Sequence, residues 1–291
     1  MNSKIKIGWS EIDLTPDKKI SLAGQFAERI SEYVEKPLTA TAMAVSSEDA
    51  QMIIVSCDLA AVSANLVDLV REELEGNTAG IDPGMVIMSA IHTHTGPEFP
   101  LARRNNVKVG SKSLLIDLLP EGKKYVERQS VSDNPDVIRG EEMLHYLAEK
   151  LTKVIFDAWE DRKPGSFTNA FGRAAVGMCR RATYSDGSAQ MWGETNQAVF
   201  EAIEGGSDTG IELLYVYDEN GKLKGIVPNL ACPAQCVQHR MFVSPDFWGE
   251  VKVLLVQRSN KPYTDKWMLP SGAVYNDEDC ETAMKREMIE K

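Results

Sequence analysis

Met85-Val86-Ile87-Met88-Ser89-Ala90-Ile91-His92-Thr93-His94-Thr95-Gly96-Pro97-Glu98 is the stretch on which the fold turns. Its first seven residues form a nearly continuous apolar run, as expected of a strand covered on both faces. The run breaks at a His-Thr-His triplet, and a Gly-Pro turn follows. In an extended segment, residues i and i+2 point to the same side, so His92 and His94 can converge on one ion or substrate. The chain has only four histidines in 291 residues, and two of them stand here.

Working outward, Gln51 to Cys57 (QMIIVSC) is a second buried-strand run, ending at Asp58. Between the two runs, Ser63 to Leu74 spaces Leu66, Leu69, Val70 and Leu74 as one helical stripe. Strand, helix, strand with short connections is a βαβ unit, so the strands are expected to be parallel neighbours. Their C-terminal ends then share one sheet edge, where open α/β sheets place ligand sites. That edge carries Asp58, His92 and His94.

Leu38 to Ser46 alternates and turns through Ser47-Glu48-Asp49-Ala50 into the 51–57 strand. Lys4 to Gly8 reads as a short strand. Glu141 to Arg162 is the clearest helix, stopped by Pro164, with His145 on it as a surface or packing residue. Ile211 to Tyr217 and Leu223 to Leu230, joined by Asp218-Glu219-Asn220-Gly221, give the strongest hairpin signal. Residues 100–138 are a long polar excursion, of a length seen in lids and disordered segments. These elements predict an α/β fold: a mixed sheet with a βαβ element and flanking helices.

Thirty-two basic residues against 43 acidic ones leave a net charge of −11. A surface of that sign repels phosphate backbones, which argues against nucleic acid as a partner. The most apolar long window, Met52 to Val70, contains Asp58 and Asp68 and is too polar to span a bilayer. The N-terminal MNSKIKIGWSEIDLTP has no signal-peptide core, so a cytoplasmic location is expected. Five unevenly spaced cysteines do not form a disulfide framework.

Imidazole suits zinc, but a catalytic zinc takes about three protein ligands and a water. The histidine pair is thus half of a site, and two polar residues bonded to backbone at a strand end remain the plain alternative. SAIHTHTGPE resembles the histidine motif of the neutral/alkaline non-lysosomal ceramidase family, in its N-terminal region. GWSEIDLTP, PLTATAMAV with MIIVSCDLA, and GIELLYVYDENGKLKGIVPN resemble further parts of the same region, so the resemblance spans about residues 5–250. It implies His92 as a zinc ligand and His94 as the group that polarises the scissile carbonyl or donates to the leaving group. Asp58 would orient a histidine from behind. Where that family carries a second metal histidine, this chain has Ala231-Cys232-Pro233-Ala234: either Cys232 or His239 substitutes, with Cys236 beside them, or the second ligand is absent.

The C-terminal stretch carries a different signal. From Gly272, five residues lead to Glu278, and seven more lead to Arg286-Glu287-Met288 and then Glu290. This resembles the Nudix box GX5EX7REUXE, whose glutamates hold Mg²⁺ against a pyrophosphate while the arginine orients one of them. Lys291 occupies the place of the box's next glutamate. The expected organisation is a ceramidase-like hydrolase domain over 1–250 and an incomplete Nudix-like segment over 251–291. The expected function is hydrolysis of an amide or related bond by a metal-activated water. A Nudix-type pyrophosphohydrolase fragment and a non-catalytic binding protein on the same fold are the alternatives.

Overall fold

The computed structural model describes residues 5–25, 28–100 and 134–250, together with two short strands beyond. Seven strands form one sheet: β1 (Lys6–Asp13), β2 (Thr39–Ser46), β3 (Gln51–Cys57), β4 (Val86–Ala90), β5 (Lys163–Arg173), β6 (Gly210–Asp218) and β7 (Leu223–Leu230). Their order across the sheet is β7-β6-β5-β1-β2-β3-β4. Every pairing is antiparallel except β3 with β4, which runs parallel with Ile53 opposite Val86 and Cys57 opposite Ala90. The fold is α/β with a mixed sheet, and α1 (Ala64–Leu74) connects the parallel pair. The Ser63 hydroxyl caps α1 by accepting from the Leu66 amide at 3.2 Å.

α2 (Gly140–Glu160) is the main cover of the sheet. Met143, Leu144, Leu147, Leu151, Val154, Ile155 and Ala158 recur at helical spacing and are buried among Ala40, Ala42, Ala44, Ile53, Val55 and Cys57. The alanines of β2 leave room for helix backbone, and Gly8 of β1 goes further. A Cβ on Gly8 would lie 2.2 Å from the Ala158 carbonyl oxygen, so strand and helix approach backbone to backbone there. Ile7, Met43 and Val216 form a second small core, joined by Trp9, Ile54, Leu214 and Val227.

Some expectations shift. β1 continues to Asp13, five residues past Gly8, because β2 offers it a full eight-residue register. The 51–57 and 85–91 runs are not covered on both faces. Ile53, Val55 and Cys57 are buried against the helices, whereas Met52 and Ile87 on the opposite face are exposed. Pro164 opens β5 rather than a loop, and its partner Lys6 lies across a corner pairing of only two residue pairs. Arg181–Tyr184, Ala189–Met191 and Phe200–Ile203 form a separate three-stranded sheet that the sequence patterning did not reveal.

Most of the 100–138 excursion lies outside the described residues; Val137–Ile138 pairs with Lys19–Leu22. The chain divides into two compact units, Met1–Trp248 and Gly249–Lys291. In the second, Val256–Gln257 pairs antiparallel with Trp267–Met268. The box residues Gly272, Glu278, Arg286, Glu287 and Glu290 lie outside the described residues.

Candidate functional site

The His-Thr-His segment leaves the end of β4 and is tied down on three sides. The Ile91 amide donates to the Cys57 carbonyl, and the His92 and Thr93 amides both donate to the Leu59 carbonyl. The buried Thr93 and Thr95 hydroxyls donate to one carbonyl, that of Ser244, at 2.8 and 2.7 Å. The Ala234 amide reaches the Ile91 carbonyl at 3.1 Å. Arg29 donates to the carbonyls of Ala23 and His94 through one terminal nitrogen, and to Arg240 through the other. The threonines thus face the 244 loop.

The two imidazoles meet, although not by strand alternation. β4 stops at Ala90, and His92 adopts a left-handed backbone with φ of 68°. Side chains seldom take that conformation, and it persists where surrounding contacts over-determine it. The rings lie edge to face with centroids 4.9 Å apart, and their Nε2 atoms are 3.3 Å apart. His92 is exposed and sends Nδ1 to the Ala60 carbonyl at 2.6 Å. A carbonyl only accepts, so Nδ1 carries the proton and the Nε2 lone pair points toward His94.

His94 is 8% exposed. Burial pulls its pKa down to about 4, with His92, Arg29 and Arg180 adding to the effect and Asp246 opposing it. The ring is therefore neutral at physiological pH. Gly24, with φ of 86°, lies flat against it: a Cβ there would sit 2.3 Å from the His94 Cγ. Gln235 places its amide nitrogen 2.7 Å from His94 Nε2, and Arg180 donates to the Gln235 oxygen at 2.9 Å. Asp246 braces the loop that carries Gln235, its carboxylate accepting from the Val237 and Phe247 amides. Gln235, Arg180, Arg29, Gly24 and Asp246 were not read from the sequence. Gln235 lies 141 positions from His94, and no local pattern announces that.

The other expected site residues make no hydrogen bond to the rings among those described. The Asp58 carboxylate accepts from the Thr39 amide and hydroxyl at 2.8 and 3.1 Å, linking the start of β2 to the end of β3. It is at the expected edge, but its bonds brace the sheet rather than orient a histidine. Burial raises its pKa to about 6, against the lowering effect of the Thr39 bonds and with a smaller push from Glu11. Cys232 is half-buried and Cys236 exposed, and burial followed by the nearby Asp246 charge raises both thiols, which favours the protonated form. His239 and His145 are exposed.

The donor chemistry fits a metal in part. A tetrahedral zinc with Zn–N bonds of about 2.0–2.1 Å spaces two nitrogens about 3.3–3.4 Å apart, and the two Nε2 atoms are 3.3 Å apart. His92, with Nδ1 held by a carbonyl, has the backing that a ligating imidazole takes. Among the described residues, no group of three or more His, Cys, Asp or Glu side chains is assembled for a metal. This edge supplies two imidazole nitrogens, of which His94 Nε2 already faces the Gln235 amide nitrogen.

The fold defines the class: an α/β chain similar in architecture to part of the neutral ceramidases. The chain is similar to a solved ceramidase complexed with C2, with a TM-score of 0.58 and 16% identity, over 85% of this chain and 34% of that one. It is also similar to the neutral ceramidase from Pseudomonas aeruginosa, with a TM-score of 0.57 and 14% identity, over 99% of this chain and 44% of that one. The chain therefore spans between a third and a half of the length of these structures. The NUDIX domain family matches residues 241–291, a segment that begins just before Ser244 and Asp246. No curated protein matches the chain. No helix among the described residues is long and apolar enough to cross a membrane.

Proposed function

We propose that the chain is a metal-dependent hydrolase that cleaves an amide or related bond in a small-molecule substrate. The observation that carries this reading is the meeting of the His92 and His94 Nε2 atoms at the C-terminal end of the parallel strand pair, with the His92 lone pair directed into the shared space. The likeness in fold to the neutral ceramidases supports it. His92 would hold a zinc ion, completed by donors beyond those the described residues assemble. When bound, zinc supplies Lewis-acid polarisation and a water of lowered pKa.

The chain's own residues do the rest. The Ala60 carbonyl holds His92 by its far nitrogen and so aims Nε2. His94, neutral and with its ring fixed against Gly24, would serve as a general base at Nε2 once the Gln235 amide gives way there to water or substrate. Polarising a carbonyl or donating to a leaving group needs an N–H, which the Gln235 amide bond does not leave at Nε2.

Metal analysis of the purified chain, with hydrolysis of N-acyl amides measured before and after chelation, tests this reading. His92→Ala is expected to abolish stoichiometric metal and to lower hydrolysis by at least about 100-fold. Undiminished metal in that variant would move the site elsewhere, with Cys232, Cys236 and His239 the next residues to change.

A second reading has its own observation, the NUDIX match over residues 241–291. It makes the segment a Mg²⁺-dependent pyrophosphohydrolase element that uses Glu278, Glu287 and Glu290, with Gly272 and Arg286 in the box. Mg²⁺-dependent release of phosphate products from nucleoside diphosphate derivatives would support it, and loss of that release in Glu287→Gln would assign it to the box.

A further inference from the structure

Arg180 bonds the Gln235 side chain at one end and His94 receives it at the other. An arginine has donors only, so the group 2.9 Å from it must be the Gln235 oxygen. The opposite end is then the NH₂, which also only donates, and it lies 2.7 Å from His94 Nε2. That nitrogen must present its lone pair. The reverse orientation of the amide would set NH₂ against guanidinium at one end.

We propose that Gln235, held by Arg180, is a positioning residue that fixes His94 in the tautomer with its proton on Nδ1. The proposal deepens the hydrolase reading and rests on its assignment of His94 to the site. The tautomer is not one that His94's own surroundings would choose. Its Nδ1 is buried with no hydrogen-bond partner among the described residues, and a Cβ on Gly24 would lie only 2.5 Å from it. Placing the proton there leaves a buried donor unmatched, an arrangement that is normally costly. The other tautomer would leave Nδ1 bare and give Nε2 a proton to share with the His92 Nε2 lone pair 3.3 Å away. The Gln235 amide forbids it, because two N–H groups would face each other at 2.7 Å.

The consequence is a division of labour. His92 Nε2 is the imidazole lone pair left for a ligand, since His92 keeps its proton on Nδ1 at the Ala60 carbonyl. His94 Nε2 is kept unprotonated, its lone pair occupied by the Gln235 amide.

The test is long-range ¹H–¹⁵N correlation of the imidazoles in the full 291-residue chain near neutral pH. The four histidines are assigned by the signals lost in His94→Asn and His92→Asn. The wild-type chain is expected to show His94 as Nδ1–H. In Gln235→Glu the carboxylate accepts only, so the pattern should reverse to Nε2–H; in Arg180→Met the amide can turn over, so the Nδ1–H pattern should weaken. A wild-type His94 carrying its proton on Nε2 overturns the proposal with no substitution needed. An unchanged pattern in a folded Gln235→Glu chain overturns it as well. Neither outcome depends on activity: a chain that hydrolyses no amide but shows the reversal would sink the hydrolase reading and leave this one standing.

Discussion

Thr93 and Thr95 send their hydroxyls to a single acceptor, the Ser244 carbonyl, and stand 3.0 Å from each other. Both are fully buried, so replacing either by valine keeps the shape and deletes a donor. Thr95→Val is expected to cost about 1–2 kcal/mol in urea unfolding. It should also disturb the His94 ring environment, read as a shift of its imidazole resonances. Asp58 gives a pH-dependent prediction. Its pKa of about 6 in the fold exceeds the ordinary value of 3.8, so the folded state binds the proton more tightly. Its contribution to stability is therefore full below about pH 4 and is lost as pH rises through 6. Asp58→Asn retains an oxygen for the Thr39 amide and has no charge to bury. The variant should gain on the wild type by up to about 3 kcal/mol between pH 4 and 6. A difference that does not vary with pH would show that Asp58 does not titrate there.

At the scale of the elements, the site depends on how closely α2 lies on β1 and β2. Gly8 sits where a Cβ would meet the Ala158 carbonyl at 2.2 Å and the Arg162 amide at 2.7 Å, both backbone atoms that no side-chain rotation can clear. Gly8→Ala is expected to destabilise the first unit by at least about 2 kcal/mol, because helix and strand must part. Leu147 of α2, 0% exposed, offers the opposite lesion: Leu147→Ala should cost about 2–5 kcal/mol through an unfilled cavity. Thermal or urea unfolding followed by far-ultraviolet circular dichroism checks both. The parallel β3–β4 pair needs α1 as its crossover, and that connection is what brings Asp58 and the histidines to one edge.

The whole molecule is two compact units, divided between Trp248 and Gly249. The described core of the first is drawn from Ile7 to Val243. Junctions between compact units are favoured sites of proteolytic attack. Limited trypsin or chymotrypsin digestion is expected to leave a resistant fragment ending near residue 250, identified by mass spectrometry. A chain that is cut first within 28–100 or 134–240 would contradict that organisation. The box register with Lys291 in place of a glutamate also predicts weak Mg²⁺-dependent action on nucleoside diphosphates, which Lys291→Glu should raise if the box is active.

What the sequence determined by itself is whatever local periodicity and turn chemistry encode. The apolar runs 51–57 and 85–91 with an amphipathic helix between them carry the parallel pair, since a crossover of that length leaves little other topology. The Asp218-Glu219-Asn220-Gly221 turn carries the β6–β7 hairpin, with Gly221 at φ of 76° and the Asp218 carboxylate accepting from the Asn220 and Lys222 amides. Tertiary structure alone decided the rest. That β4 is an edge strand, that His92 turns left-handed, and that Asp58 serves Thr39 follow from contacts between segments that no spacing rule connects. Gln235 is the clearest instance: an ordinary polar residue in a Cys-Pro-Ala-Gln loop, it acquires a role only because folding carries it 141 positions along the chain to His94 and sets Arg180 at its other end.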